Sequence, residues 1–228
     1  MIGRLRTLGM ILAVFSLVFM AAGAFTLYKV NDGRNSLQAF SAAQNVTLTY
    51  NDQGQLVDRG DPAEAAAIMS LLTNDWGYPV ASYEMDKNDP LVNTPSEYMY
   101  QMATISYHTL NGTQTVVLPE DVTAADGTVY KAGTYDFPVD GRYWTAFDRS
   151  NPIEAKAREQ AWTGTAHGLI AELGVGTVTG STLQMGLGLS ILFFLVGGVV
   201  LTSGLGLVWA TRAEKAKVPG LVLSPTPA

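Results

Sequence analysis

Cysteine is absent from the 228 residues of this chain, and histidine occurs only twice. Without thiols the chain can form no disulfide, thiolate metal site, iron–sulfur cluster or lipid-modified N-terminal cysteine. Basic residues are also scarce, because 14 lysines and arginines stand against 20 acidic residues, for a net charge of −6. An acidic chain has little attraction for phosphate backbones, so DNA and RNA are not expected as partners.

The positive charges are concentrated at the two ends of the chain, and the middle is acidic. From Asn31 to Gly168 there are 18 acidic and 8 basic residues, a net of −10. The segments before residue 7 and after residue 211 carry one acidic residue, Glu214, and five basic ones: Arg4, Arg6, Arg212, Lys215 and Lys217. Lysine and arginine next to a hydrophobic segment stay in the cytoplasm, so this asymmetry bears on orientation.

Two long segments contain no charged residue. The first runs from Thr7 to Tyr28 and the second from Leu173 to Thr211, where the most hydrophobic part is Met185 to Ala210. About 20 apolar residues, each adding 1.5 Å of helix, cross a hydrocarbon layer of about 30 Å. The sequence therefore predicts a cell-membrane protein with two transmembrane helices, both termini in the cytoplasm and the intervening segment outside it.

The first hydrophobic segment has an alternative interpretation as a cleaved signal peptide. Arg4 and Arg6 would form its basic start, and Ala22-Gly23-Ala24 has the small-x-small pattern that signal peptidase accepts. Cleavage would leave one membrane anchor instead of two. The acidic segment would lie outside the cytoplasm in both cases.

The chain is predicted to divide into four segments. Residues 1–30 form the N-terminal cytoplasmic tip and the first transmembrane helix, and residues 31–172 form an extracytoplasmic α+β domain with an antiparallel sheet. Residues 173–211 form a juxtamembrane hinge, where Gly174 and Gly176 break the helix, and then the second transmembrane helix. Residues 212–228 are predicted to be a disordered cytoplasmic tail.

Capping residues predict the helices of the α+β domain. Asp61-Pro62-Ala63-Glu64 and Asn151-Pro152-Ile153-Glu154 share one pattern, in which a capping side chain is followed by proline and by an acidic residue at the third position. Helices are therefore expected over 62–74 and from 152 onward. Trp162 falls on the far side of the second helix from Ile153, where it could face lipid or another chain.

Turn residues predict the strands. Asn51-Asp52-Gln53-Gly54 joins the segments 45–50 and 55–57 into a hairpin. Asn111-Gly112 accepts the positive φ angles of a tight type I′ turn, which predicts a second hairpin formed by strands 98–110 and 113–118. Further strands are expected over 128–131, 134–139 and 142–147.

Small residues recur along the second hydrophobic segment at nearly every fourth position. Such a stripe lets another helix approach closely in lipid, where packing of small surfaces holds helices together. Its partner could be the first span, a second copy of the chain or another membrane protein. The predicted helix-packing residues are Gly186, Ser190, Gly198, Thr202, Gly206 and Ala210.

No motif predicts catalysis, a cofactor or a metal. His108 and His167 lack ligand spacing and are expected to lie at the surface or in hydrogen bonds. Glu84, Asp86 and Asp89 form an acidic loop without the alternating pattern of a calcium site, so their charges are expected to be solvated. A serine-nucleophile elbow is also absent from the sequence. The protein is therefore expected not to be an enzyme.

The order of features along the chain is similar to that of a known group of proteins. A basic tip, a span and an acidic domain are followed by Gly-Arg-Tyr-Trp-Thr-Ala-Phe-Asp at 141–148, by Asn-Pro-Ile-Glu at 151–154 and by a glycine-rich second span. This layout resembles that of uncharacterised two-pass membrane proteins of actinobacteria with an extracytoplasmic α+β domain. The resemblance implies no activity, but it makes the respiratory assemblies of that group candidate partners.

Two functions are consistent with these observations. The first is a non-enzymatic, membrane-anchored interaction protein, an accessory or assembly subunit of a cell-envelope complex that contacts membrane lipid and other membrane proteins or a second copy through its second span. The alternative is an extracytoplasmic ligand-binding module for a lipid, a glycan or a peptide. A deep apolar pocket with convergent polar groups would favour the alternative.

Overall fold

The computed structural model describes residues 2–216. Its helices are α1 (Ile2–Gln44), α2 (Pro62–Ser70), α3 (Pro95–Leu110), α4 (Pro152–Ala161) and α5 (Gly164–Ala216), and its strands are β1 (Thr49–Tyr50), β2 (Leu56–Val57), β3 (Thr113–Leu118), β4 (Val122–Thr123), β5 (Val129–Tyr130) and β6 (Gly133–Pro138). Most of the tail predicted over 212–228 lies outside the described residues. Its first five residues belong to α5.

The chain forms two compact units. One contains the residues up to Asn35 together with those from Thr182 onward, and the other spans Ser36–Ser181. The sequence placed the corresponding boundaries at residues 31 and 172. The described residues of the first unit are all helical, whereas the second unit contains all the described strands.

Helices α1 and α5 are long and apolar enough to cross a membrane. Only 17% of the most apolar part of α1 and 11% of that of α5 is buried. A core helix of a soluble protein would be mostly buried, because its apolar side chains need protein around them. The exposed apolar surface of both helices is compatible with a membrane location.

Helix α2 starts as the sequence predicts. The Asp61 carboxylate accepts a hydrogen bond from the backbone N–H of Ala63 at 2.7 Å, and Pro62 occupies the first turn. A turn of π-helix over Leu71–Asp75 then extends the helix, so the prediction of helix over 62–74 is confirmed. Ile68 and Leu72 are fully buried in the core of the second unit.

Residues 98–110 are helical, so the strand predicted there is wrong. Helix α3 starts with a capping box, in which the Thr94 hydroxyl accepts from the backbone of Glu97 and the Glu97 carboxylate accepts from the backbone of Thr94. Thr94-Pro95-Ser96-Glu97 thus repeats the pattern that predicted α2 and α4. Asn111, with a φ of −99°, ends this helix instead of forming a hairpin turn.

Antiparallel pairing is confirmed, but within residues 2–216 the strands form three separate two-stranded ribbons, β1–β2, β3–β6 and β4–β5. The predicted hairpin over 45–57 corresponds to β1–β2. Strand β3 pairs over its whole length with β6 and not with residues 98–110. Residues 142–147 form turns, so the strand predicted there is wrong. Helix α4 packs on the longest ribbon, where Val116, Leu118 and Ala157 are buried together.

The predicted hinge is absent, because α5 is continuous from Gly164 to Ala216. Two of its glycines instead allow side chains of helix α3 to pack closely against it. A β-carbon at Gly176 would lie 2.8 Å from the ring of Tyr98, and one at Gly180 would lie 2.9 Å from Cγ of Pro95. Real β-carbons essentially never lie within 3.0 Å of such atoms, so a larger residue at either position would force Tyr98 or Pro95 to shift.

Candidate functional site

The two helices of the first unit meet along a seam that repeats every seven residues. Within the part of this unit whose burial is described, the buried positions of α1 are Gly9, Ser16, Gly23 and Val30, and those of α5 are Ser190, Gly197, Gly204 and Thr211. Seven residues bring a helix back to nearly the same face, which is the spacing of a coiled coil. The seam is an antiparallel one, since the first residues of α1 face the last residues of α5.

Small residues allow the backbones to touch along the seam. A β-carbon at Gly9 would lie 2.7 Å from the Gly204 carbonyl oxygen, and one at Gly197 would lie 3.2 Å from the Ser16 carbonyl oxygen. The hydroxyl of Ser190 is buried against Gly23. Close backbone approach through small residues is the usual basis of helix association in lipid.

Only the beginning of the predicted stripe faces this seam. Gly186 packs against Val30, and Ser190 contacts Gly23. Gly198 and Gly206 have open space where a β-carbon would be, and Thr202 and Ala210 are exposed. Each four-residue step advances about 40° around a helix, so over six steps the stripe turns by about 240° and leaves the seam.

The second unit contains an open apolar groove with a volume of about 620 Å³. Its walls come from three segments that are distant in the sequence, within 37–46, 92–105 and 169–179. Val92, Tyr98 and Gly176 are buried at its base. Its apolar rim is exposed, with Phe40 at 45%, Leu169 at 44% and Val175 at 66% of their full accessible surface.

The polar atoms at the base of the groove bond to one another. The hydroxyl groups of Ser41 and Tyr98 are 2.6 Å apart in a buried hydrogen bond, and the Ser41 hydroxyl also donates to the Leu37 carbonyl oxygen at 3.0 Å. The remaining polar lining residues are Gln44, Gln101, Glu172 and Thr179. The base therefore offers an apolar surface, and the groove has few polar side chains.

The two histidines have different protein partners. His108 lies on helix α3 and not on the predicted strand. Its Nε2 is 2.8 Å from a carboxylate oxygen of Asp58. The ring of His167 lies 5.2 Å from that of Trp144 and 5.8 Å from that of Trp162. Within residues 2–216, no group of three or more histidine, aspartate or glutamate side chains could hold a metal ion.

Glu84 was expected to be solvated, but it is 6% exposed and accepts a hydrogen bond from the Ser96 backbone N–H at 2.8 Å. Glu97, which was not singled out from the sequence, is 1% exposed at the same end of α3. Burial raises the pKa of Glu97, although hydrogen bonds from Asn93 and Thr94 oppose the shift. Both carboxyl groups satisfy backbone donors of a helix start, which is a structural role.

Aromatic side chains form a second cluster in this unit. Trp162 is 5% exposed, stacks on Tyr143 and donates its indole N–H to the Arg142 carbonyl oxygen. It therefore faces neither lipid nor another chain. The guanidinium of Arg158 lies 3.9 Å from the ring centre of Trp144, a cation–π contact. A smaller pocket of about 320 Å³ adjoins these rings.

No family model, curated protein or solved structure matches this chain. The groove and the helix seam are therefore interpreted from their own geometry. Of the sites described, the groove has the size and the apolar lining of a ligand pocket, which are typically about 300–1,000 Å³ in volume and mostly hydrophobic.

Proposed function

We propose that this chain is a membrane-anchored extracytoplasmic module that binds the hydrocarbon chain of a membrane lipid. The observation that carries the proposal is the open apolar groove of about 620 Å³ in the unit Ser36–Ser181. Its rim exposes Phe40, Leu169 and Val175 to solvent. Covering apolar surface stabilises a complex by about 25 cal/mol per Å², so an alkyl chain would gain affinity along the whole groove.

The chemistry of the base favours a hydrocarbon chain over a polar ligand. The Ser41 and Tyr98 hydroxyl groups already bond to each other, and a glycan or peptide backbone would bury polar groups against apolar walls. Burying a polar group without a partner costs about 1–3 kcal/mol in proteins. An alkyl chain has no such groups to satisfy.

The location of the groove in the chain also favours lipid. The wall segment 37–46 follows the charge-free stretch Thr7–Tyr28 after a few residues, and the wall segment 169–179 runs into the second charge-free stretch. With cationic residues retained in the cytoplasm, both termini are cytoplasmic and the groove is extracytoplasmic. The seven-residue seam supports the first span as a permanent anchor, because a cleaved signal peptide needs no matched partner helix.

A pair of valines provides a matched test. Val175 and Val178 lie on α5 with similar exposure, 66% and 67%, but only Val175 lines the groove. The full chain would be purified in detergent and photolabelled with an acylglycerol that carries a diazirine in its alkyl chain. We expect labelled peptides from the groove walls, at least fivefold less labelling in Val175→Trp, and no change in Val178→Trp.

If the groove peptides of the natural protein are not labelled, lipid binding is contradicted. Equal labelling of Val175→Trp and Val178→Trp would contradict it too. A co-purifying protein that covers the groove would contradict it as well. Both variants add the same bulk to an exposed position on one helix, so a general effect on folding would lower both alike.

A second candidate function is that of an accessory or assembly subunit of a cell-envelope complex, for which a respiratory assembly of actinobacterial type is one candidate. The observation that favours it is that Gly198, Thr202, Gly206 and Ala210 do not face the seam with α1. Gentle extraction from native membranes, followed by size measurement and mass spectrometry, would test it. We expect the natural protein to be extracted in a complex with a partner and Gly206→Leu to lose that partner. A natural protein that is strictly monomeric would contradict this function.

A further inference from the structure

The groove carries a negative charge and no positive one. Among its fifteen lining residues, Glu172 is the only acidic one, and none is lysine, arginine or histidine. The unit Ser36–Ser181 contains 18 acidic and 7 basic residues, a net of −11. A phosphate or carboxylate head group would therefore enter a negative field with no cation in the groove to pair with it.

The polar lining side chains suit a hydroxyl group. A hydroxyl can donate to the Glu172 carboxylate, and hydrogen bonds to ionised acceptors are stronger than neutral ones. The amides of Gln44 and Gln101 both donate and accept, and they line the same groove. These side chains can bind an uncharged, hydroxylated head group without any cation.

We propose that the groove selects an uncharged lipid with a hydroxylated head group, such as an acylglycerol or a long-chain alcohol, and rejects anionic lipids through Glu172. This inference rests on the proposed lipid binding. It adds a specificity-determining residue and the chemical class of the ligand.

Two probes with the same alkyl chain separate the head group from the chain. The full-length protein in neutral detergent micelles would be photolabelled with a diazirine monoacylglycerol and, separately, with the corresponding diazirine fatty acid at a pH where the acid is ionised. In the natural protein we expect at least fivefold more labelling of groove peptides by the acylglycerol. A fivefold factor is about 1 kcal/mol, the repulsion of two like charges about 4 Å apart in water, which suits the exposed Glu172.

Charge substitutions test the role of Glu172. Glu172→Gln is expected to reduce the preference, and Glu172→Lys is expected to reverse it, because the lysine would pair with the fatty-acid carboxylate. Glu159→Lys is the matched control, since it changes the net charge equally from an exposed position on α4 that does not line the groove. It should leave the ratio of the two probes unchanged.

The outcomes distinguish the two proposals. Equal labelling by both probes, or a preference for the fatty acid in the natural protein, would overturn the head-group selection while groove binding stands. If Glu159→Lys changes the ratio of acylglycerol to fatty-acid labelling as much as Glu172→Lys does, the selectivity comes from net charge. That result would overturn the role of Glu172. Absence of groove labelling by either probe would instead overturn lipid binding itself.

Discussion

The hydroxyl group of Ser190 donates a hydrogen bond to the carbonyl oxygen of Gly23 at 2.8 Å, across 167 positions of the chain. Ser190 is 1% exposed, so this bond is protected inside the helix seam. Removing it in Ser190→Ala should lower the free energy of unfolding by about 0.6 kcal/mol, the average for interhelical hydrogen bonds in membranes. Unfolding of the intact chain by sodium dodecyl sulfate in mixed micelles would measure the loss.

Thr202→Ala is the control for this prediction. The Thr202 hydroxyl donates to the Gly198 and Val199 carbonyl oxygens of its own helix and is exposed. Its removal should have little effect. Equal losses in the two variants would show that the Ser190 bond contributes nothing specific to helix pairing.

Gly204 and Gly206 should respond in opposite ways to added bulk. A β-carbon at Gly204 would lie 2.7 Å from the Gly9 carbonyl oxygen, whereas Gly206 has nothing within 4 Å. Gly204→Leu should therefore separate the helices and destabilise the pair by about 1–3 kcal/mol, the range for overpacking. Gly206→Leu should be tolerated in the same unfolding experiment. If the two variants unfold alike, the seam does not run through Gly204.

Gly176→Ala should destabilise the second unit, although alanine is the better helix former. The added β-carbon would lie 2.8 Å from the Tyr98 ring, which forces α3 and α5 apart. At Gly168, where nothing lies within 4 Å, the same substitution should stabilise α5 by up to about 1 kcal/mol. Thermal unfolding followed by circular dichroism should show opposite changes in the melting temperature. A rise in both variants would contradict the close packing at Tyr98.

Glu97→Gln should change the pH dependence of stability. Because burial raises the pKa of Glu97 above its ordinary value of 4.5, the folded state binds the proton more tightly than the unfolded state does. Protonated Glu97 therefore adds to the free energy of unfolding. This added stability is fully present below the ordinary pKa and is lost as the pH rises through the raised pKa of the folded state. The natural protein should therefore gain stability relative to Glu97→Gln as the pH falls through this window. Chemical unfolding of both proteins at a series of pH values would measure the difference, and a constant difference would refute the raised pKa.

The helices were predictable wherever a local signal sets their start. Asp61 and Asn151, each followed by proline, correctly marked α2 and α4. Thr94-Pro95 carries the same signal and starts α3, but the strand prediction over 98–110 was based on Asn111-Gly112 alone. A capping box fixes the start of a helix directly, whereas Asn-Gly is equally compatible with a helix end.

The glycines of α5 were harder to interpret, because local sequence does not reveal which neighbour approaches. From the sequence alone, Gly176 is interpreted as a helix breaker. In the structure it provides the space into which Tyr98, far away in the chain, packs. The groove was unpredictable for the same reason, since its walls come from three distant segments. Of the predicted stripe, only Gly186 and Ser190 face α1, because a four-residue period drifts around the helix while the seam with α1 repeats every seven residues.

The fixed seven-residue register of the seam has a consequence for changes in helix length. Each buried position in α1 is matched with one in α5, so inserting a single residue after Ser16 would rotate Gly23 and Val30 by about 100° away from their partners. Inserting seven residues in α1 alone would restore their orientation but move Gly23 one repeat along α5. Lengthening both helices by the same seven residues would keep the pairing intact, so the lengths of the two helices can change only together.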